Sequence, residues 1–258
     1  MQTSVTVRRG VLGAMLLLAA ASLLAATPQK AKSDASETGA IFSDSMIASM
    51  LGPKQGQNTN PAQARSAYAR GVQALLAGDA GAAEHAAKQA IAKDKNFSDA
   101  YALAATAELS QRKFAEAQRS AARAVQMDAT SVKAHVILAT ADNYLGDYGA
   151  ASAALEPVQD AASHWWQAAY QRARAEAGME HAEATLDWSN RAALLAPPEF
   201  APLHLLHASA LAAAARYAQA ADELAAYLQI AGAQAPQRME LQRELQQLRE
   251  LAGQMAKN

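Results

Sequence analysis

The sequence predicts an all-α fold built from repeated helical hairpins, and two observations support this prediction. Small residues return every 34 positions, at Gly71, Ala105 and Ala139. Apolar residues make up 51% of the 258 residues but aromatic residues only 5%, because alanine, the best helix former, is so abundant. The chain has no cysteine, which excludes disulfides and thiolate zinc sites. A fixed period of this kind is typical of stacked helical units that bury their apolar faces against one another.

Three further series keep the same spacing: Ala83, Ala117 and Ala151; Ala90, Ala124 and Val158; and Ala80, Phe114 and Tyr148. In this frame the units are 64–97, 98–131, 132–165, near 167–200 and 201–234. Each unit is predicted as a helix, a short turn and a second helix. Glycine in Gly78-Asp79 and Gly146-Asp147 permits the sharp turn, and the prolines Pro197 and Pro198 end the fourth unit.

This pattern resembles the tetratricopeptide repeat (TPR) family. The resemblance rests on the small residues of the first helices, the alanines that open the second helices, and the aromatic residue after the turn. It implies a helix-turn-helix repeat solenoid of about five units over residues 62–234. The fourth unit departs from the pattern, since Arg174, Leu186 and Asn190 stand where small or apolar residues are usual. A slip of a few residues is therefore expected there.

Residues 1–26 are predicted to be a secretory signal peptide. Arg8 and Arg9 precede an uncharged apolar run, Val11 to Ala26, which ends in small residues. We expect cleavage after Ala26 and a periplasmic protein without a stable membrane span. The alternative is an uncleaved N-terminal membrane anchor, although the run is shorter than the about 20 residues of a typical span.

Residues 27–61 are predicted to be a flexible linker, because their polar composition cannot bury enough apolar surface to fold. One apolar island interrupts the linker. Its apolar residues recur at near-helical spacing: Ile41, Phe42, Met46, Ile47, Met50 and Leu51. Two interpretations stay open. The island is either a transient helix laid against the first repeat, or a docking segment for a partner or for the protein's own groove.

Residues 235–258 are predicted to form a C-terminal capping or coiled-coil helix. Its apolar residues form one stripe: Leu241, Leu245, Leu248, Ala252 and Met255. Such a helix either covers the apolar face of the last repeat, as terminal caps of repeat arrays do, or pairs two copies as a homodimer through 236–256.

Composition and motifs argue against catalysis and nucleic-acid binding. The formal net charge is -1, so no basic field draws the chain to nucleic acid. The sequence has no nucleophile elbow, phosphate-binding glycine loop or zinc-protease motif. We therefore expect a protein that is not an enzyme and that needs no cofactor or metal.

One alternative is a metal-dependent or accessory envelope enzyme subunit that uses His204 and His207, which lie three residues apart on one predicted helix. However, His135 and His204 align in the repeat with Tyr101, where the resembled family packs a large side chain. Core packing is therefore the favoured interpretation of both histidines.

The resemblance implies that the first helices line a concave groove that takes extended peptides or partner helices. The groove residues it implies are Arg65, Tyr68, Val72, Leu75, Leu76, Asp99, Ala102, Thr106, Leu109, Lys133, Val136, Thr140, Asn143 and Tyr144. Tyr68, Leu75 and Tyr144 are the expected anchors, and about half of the apolar side chains are expected to be buried between helices. The carboxylate clamp of one branch of the family is absent, since only Lys133 agrees with it.

The function this implies is a protein-protein interaction scaffold of the bacterial cell envelope. Its partner would be a segment of another envelope protein, bound during assembly of a secretion, pilus or polysaccharide-export system.

Overall fold

The computed structural model describes residues 61–162, 164–235 and 237–256. These residues form two compact units, 61–161 and 162–256. The predicted signal peptide and the apolar island of residues 41–51 lie outside the described residues. None of the described helices has both the length and the apolar character needed to cross a bilayer.

The first unit consists of three helical hairpins. Its helices are α1 (Ala62–Leu76), α2 (Ala80–Lys93), α3 (Ser98–Ser110), α4 (Phe114–Met127), α5 (Val132–Leu145) and α6 (Tyr148–Leu155), followed by a 3-10 turn at Glu156–Val158. Consecutive helices pack against one another, and each first helix also contacts the first helix of the next hairpin.

The second unit consists of two hairpins and a terminal helix. Its helices are α7 (Trp166–Gly178), α8 (Ala182–Ala193), α9 (Ala201–Ala213), α10 (Tyr217–Ile230) and α11 (Arg238–Met255), with a 3-10 turn at Gly232–Gln234 before α11. The described residues contain no strand. The predicted fold class, an all-α helix-turn-helix repeat of five units with a C-terminal capping helix, is confirmed.

All five hairpins turn in the same way. One residue in each turn has a left-handed backbone: Gly78, Arg112, Gly146, Glu180 and Ala215. The next amide donates to the carbonyl five residues earlier, as from Asp79 to Ala74 and from Arg216 to Leu211, both at 2.8 Å. This is the Schellman helix ending. Where the residue is not glycine, the left-handed backbone costs roughly 1–2 kcal/mol, which the surrounding repeat must offset.

The repeat frame is more regular than the sequence pattern suggests. The second helices α2, α4, α6 and α8 begin 34 residues apart, and α10 begins 35 residues after α8. The slip expected in the fourth unit is a single residue, and it leaves the first helix of that unit in register: Ala173 follows Ala139 by one full period and is fully buried. The extra residue falls in the loop before α9, beside Pro197 and Pro198, where an insertion disturbs no helix packing.

Small residues let the helices of each hairpin approach closely. A Cβ on Gly71 would lie 2.7 Å from Leu103 Cδ2 and 3.3 Å from the carbonyl oxygen of Ala83. The alanines at the same position of the other four hairpins are fully buried: Ala105, Ala139, Ala173 and Ala208. The predicted small-residue series therefore mark the helix contacts.

Helix α11 caps the second unit. Leu241 and Leu248 of its apolar stripe are buried in one core with Leu224 and Leu228 of α10. The Arg238 guanidinium donates to the carbonyls of Leu228 and Gly232, which fixes where α11 begins. The apolar stripe is thus used within the chain, and the homodimer through 236–256 stays a prediction.

Candidate interaction surface and histidine clusters

The implied groove residues lie on α1, α3 and α5 of the first unit, and we call these fourteen residues the inner surface. Positions 34 residues apart lie side by side on it, since Lys133 Nζ of α5 donates to Asp99 Oδ1 of α3 at 2.6 Å. Arg65 occupies the same repeat position on α1. The inner surface therefore carries a row of alternating charge, Arg65, Asp99 and Lys133.

Much of the inner surface is buried. Eight of its residues are buried: Leu75, Ala102, Thr106, Leu109, Lys133, Val136, Thr140 and Asn143. Arg65 is exposed, and the other five are half-buried: Tyr68, Val72, Leu76, Asp99 and Tyr144. The expectation that Leu75 anchors a partner is wrong, because this side chain is only 3% exposed and belongs to the core.

The buried hydroxyls of the inner surface are satisfied by their own helices. Thr106 Oγ1 donates to the carbonyl of Ala102 at 2.9 Å, and Thr140 Oγ1 donates to the carbonyl of Val136 at 2.7 Å. A buried hydroxyl bonded in this way needs no donor or acceptor from a ligand. At these positions a bound segment would make apolar contacts rather than hydrogen bonds.

Two tyrosines of the inner surface are held by aromatic neighbours. Tyr144 of α5 stacks on Phe114 of α4, with ring centroids 4.6 Å apart and planes 6° from parallel. Tyr68 of α1 packs against Phe97 at 5.1 Å. Burial, and then the nearby Asp99 carboxylate, raises the pKa of the Tyr68 phenol, which therefore stays neutral. Both rings are rigid apolar contacts with a polar tip.

Sequence reasoning missed a series of buried acids near the hairpin turns. Glu108, Asp142 and Glu176 are 34 residues apart and at most 6% exposed. Burial raises the pKa of Glu108 and of Asp142, although Gln118 Nε2 donates to Asp142 Oδ1 at 2.7 Å. The shared 34-residue spacing is the signal that could have found them.

The third acid of this series titrates differently. Burial, the largest influence, raises the pKa of Glu176, but hydrogen bonds from His181 and Arg172 outweigh it and the pKa is lowered. Arg172 Nε lies 2.8 Å from Glu176 Oε1, and His181 Nδ1 lies 2.9 Å from Oε2. These contacts join α7 to the start of α8, so the acid supports the turn.

The predicted histidine pair lies around a single carboxylate. His204 Nδ1 is 2.7 Å from Glu223 Oε2, and His207 Nδ1 is 3.3 Å from Glu223 Oε1. The second nitrogens are also engaged, with the carbonyl of Pro198 at 2.9 Å and with Asn190 Oδ1 at 2.9 Å. The cluster therefore joins α8, the loop before α9, α9 and α10.

The protonation of this cluster follows from its partners. The Glu223 hydrogen bond, the largest influence, raises the pKa of His204. The hydrogen bonds from His204 and His207 lower the pKa of Glu223 to about 2. Both partners of His204 only accept hydrogen bonds, and a protonated ring, which has two N–H groups, can donate to both.

The metal-site alternative gains no support from this geometry. The structure supplies a nearby acid, Glu223, but both nitrogens of His204 and of His207 are engaged in hydrogen bonds. No group of three or more histidine, aspartate or glutamate side chains within the described ranges is arranged to hold a metal ion. The cluster braces helices instead.

His135 is also a bracing residue. It is buried, and its ring nitrogens lie 2.5 Å from the carbonyl oxygen of Ala154 and 3.0 Å from that of Ala129. Core packing, which the alignment with Tyr101 favoured, is the role that the structure gives it.

No protein-family model and no curated protein matches this chain. Solved structures do. The pilF protein of Pseudomonas aeruginosa is 16% identical with a TM-score of 0.61, covering 76% of this chain and 88% of its own. A thermophilic TPR protein of Thermus thermophilus is 17% identical with a TM-score of 0.54, and the match covers 72% of this chain and 98% of that protein's chain. YrrB, a TPR protein with an unusual peptide-binding site, is 14% identical with a TM-score of 0.52, and the match covers 74% of this chain and 93% of the YrrB chain.

At these identities the similarity shows the fold. The chain has the fold of TPR proteins, as the resemblance in its sequence predicts.

Proposed function

We propose that this protein is a non-catalytic protein-protein interaction scaffold of the bacterial cell envelope. Its partner is a segment of another envelope protein, bound on the inner surface of the first unit during assembly of a secretion, pilus or polysaccharide-export system. The TPR fold supports the interaction role, and one protein of similar structure is described by its peptide-binding site. The export signal predicted for residues 1–26 from the sequence supports the location.

The observation that carries this proposal is the combination of charge and apolar side chains on one surface. Lys133 is buried and paired with Asp99, whereas Arg65 at the same repeat position is exposed, so a bound segment meets positive charge at the α1 end of the row. Val72 and Leu76 of α1 are only half-buried and offer apolar contact beside that row. A few desolvated anchors of this kind supply most of the binding energy in an interface.

Site-specific photo-crosslinking in the producing bacterium tests the surface. A photoreactive residue at Val72, or at Ser110, which occupies the repeat position of Leu76 and Tyr144, is expected to capture one envelope protein, identified by mass spectrometry. Ala115, which is exposed on α4 outside the inner surface, is the matched control. Capture of the same protein from Ala115 at equal yield would contradict the proposed surface.

The captured protein then allows a quantitative test. Val72→Asp with Leu76→Asp is expected to raise the Kd for the purified partner at least tenfold, or about 1.4 kcal/mol. Ala115→Asp is the control and is expected to leave the Kd unchanged. Circular dichroism of each variant checks that the helical fold is kept. An unchanged Kd in the double variant would exclude the inner surface.

The proposed location has its own test. Fractionation of cells followed by N-terminal sequencing is expected to find a periplasmic chain that begins at Thr27. A cytosolic chain that keeps residues 1–26 would contradict the export proposal, and a membrane fraction with an intact N-terminus would favour the anchor.

A further inference from the structure

The inner surface of the first unit is buried more deeply than stacked hairpins by themselves explain. Helix α3 is buried at eight consecutive positions, Ala102 to Leu109, which is about two turns and includes every side of the helix. Its hairpin partner α4 buries only Ala117, Ala121 and Ala124, a single stripe. Stacked hairpins cover a first helix from behind and from both flanks and leave a concave side. The burial of the inner side of α3 therefore exceeds what this packing supplies.

The corresponding positions of α5 show the same burial. Val136, Thr140 and Asn143 are each at most 1% exposed. The threonine hydroxyl is satisfied within α5, as that of Thr106 is within α3. An element that covers these positions therefore needs to supply apolar contact and few hydrogen bonds.

The chain contains an apolar segment close in sequence to α1. Nine residues separate the apolar island Ile41–Leu51 from Pro61, where α1 begins. A flexible linker of about ten residues has a root-mean-square length of about 16–19 Å. Neighbouring packed helices lie about 8–10 Å apart, so a tether of this length is long enough for a segment to contact α1, α3 or α5. A tether of this length also gives an effective concentration in the millimolar range.

The chemistry of the island fits an apolar inner side. Asp44 is its only charged residue. Placed on a helix, Ile47 and Met50 lie on one side, and Ser45 lies on the other. The half-buried apolar residues Val72 and Leu76 of α1 are complementary to the apolar side.

We propose that Ile41–Leu51 docks as a helix on the inner surface of its own chain and that a partner segment has to displace it. The docking stands independently of any partner. The displacement rests on the proposed function.

Disulfide trapping in the full chain tests the docking directly, because the chain has no cysteine of its own. The test pair is Ile47→Cys with Ser110→Cys, which is half-buried at the end of α3. The control pair is Ile47→Cys with Ala92→Cys, which lines the separate groove between α1 and α2. The test pair is expected to form an intramolecular disulfide at least tenfold faster than the control pair, at a rate independent of protein concentration.

The other outcomes would overturn the proposal. A disulfide-linked dimer as the main product would assign the inner surface to a second copy. Equal rates in both pairs, or no disulfide although maleimide labels both thiols in urea, would mean that the hairpins cover their own inner side.

A second variant separates docking from displacement. Ile47→Asp with Met50→Asp is expected to speed maleimide labelling of a single Ser110→Cys thiol at least tenfold and to lower the partner Kd at least tenfold. Ser45→Asp, on the opposite side of the island, is the control. Faster labelling with an unchanged Kd would overturn displacement alone. Failure to capture any partner would count against the proposed function, whereas the disulfide result would still decide the docking.

Discussion

The third and fifth hairpins place a histidine at the same repeat position and give it different partners. His135 and His204 each reach back to a loop carbonyl six residues earlier, that of Ala129 or that of Pro198. Each also reaches the second helix of its own hairpin, nineteen residues later. In the third hairpin that partner is a backbone carbonyl, whereas in the fifth it is the Glu223 carboxylate.

The repeat determines where the imidazole lies, and one neighbouring side chain determines how it responds to pH. The frame places an imidazole between loop and helix in both hairpins, so bracing is a property of the position. The pH response is a property of Glu223, which raises the pKa of His204. The hairpins also differ in their turns, with Gly146 in one and Ala215 in the other at a left-handed backbone.

The largest expected effect is the loss of the buried histidine. His135→Ala leaves a cavity and removes the ring that packs between two backbone carbonyls, and we expect the free energy of unfolding to fall by about 2–4 kcal/mol. His204→Ala is expected to cost less, because its side chain is 24% exposed and Glu223 keeps His207. Urea unfolding followed by circular dichroism measures both, with exposed His85→Ala as the control. If the free energy of unfolding fell as much or more in His204→Ala, the claim that the buried histidine contributes more to stability would be wrong.

The second largest expected effect is a pH dependence of the free energy of unfolding, which arises from the fifth hairpin. A raised His204 pKa adds stability that is complete below its ordinary value of 6.5 and is lost as the pH rises through the folded-state pKa. A Glu223 pKa of about 2 adds stability that is present above 4.5 and is lost as the pH falls toward 2. The His204–Glu223 pair therefore adds most to the free energy of unfolding between pH 4.5 and pH 6.5.

Glu223→Gln removes this dependence. We expect its unfolding free energy to lie below that of the unchanged protein by about 1–2 kcal/mol near pH 5.5, and the gap to narrow toward pH 9. Urea midpoints at several pH values measure the gap, and exposed Glu183→Gln is the control. If the difference in unfolding free energy between the two proteins widened as the pH rises, His204 would not be the protonated partner of Glu223.

The smallest effects concern the turns of the same two hairpins. Ala215→Gly is expected to stabilise by up to about 1 kcal/mol, and Gly146→Ala to destabilise by about 1 kcal/mol, because only glycine adopts a left-handed backbone without strain. Gly149→Ala is the matched control, since a Cβ there meets open space on a helix and is expected to stabilise slightly. Thermal unfolding measures all three. If Ala215→Gly lowered the stability, the alanine at this left-handed position would not be strained.

Much of the fold could be predicted from the sequence, because each repeat makes the same local contacts. Period, turns and small residues follow from helix geometry and from packing between adjacent helices, which every unit repeats. The sequence frame placed the extra residue before residue 167 and so put Arg174, rather than Ala173, at the small-residue position. A periodic pattern does not by itself show in which loop an extra residue falls. The inner surface stays a prediction as a binding surface. Half of its apolar side chains are buried, as expected from the sequence, but which ones are buried could not be predicted, because burial depends on what covers each helix.

The amino-acid sequence alone determined the all-helical repeat, its five hairpins and the capping stripe, since these depend on residues three, four or 34 positions apart. Only the tertiary structure decided that Glu223 faces His204 and that three acids are buried at the turns. Those contacts depend on how each helix is rotated about its axis, and a periodic pattern leaves that rotation open. The chemistry of the histidine cluster is therefore set by packing, on a frame that the repeat provides.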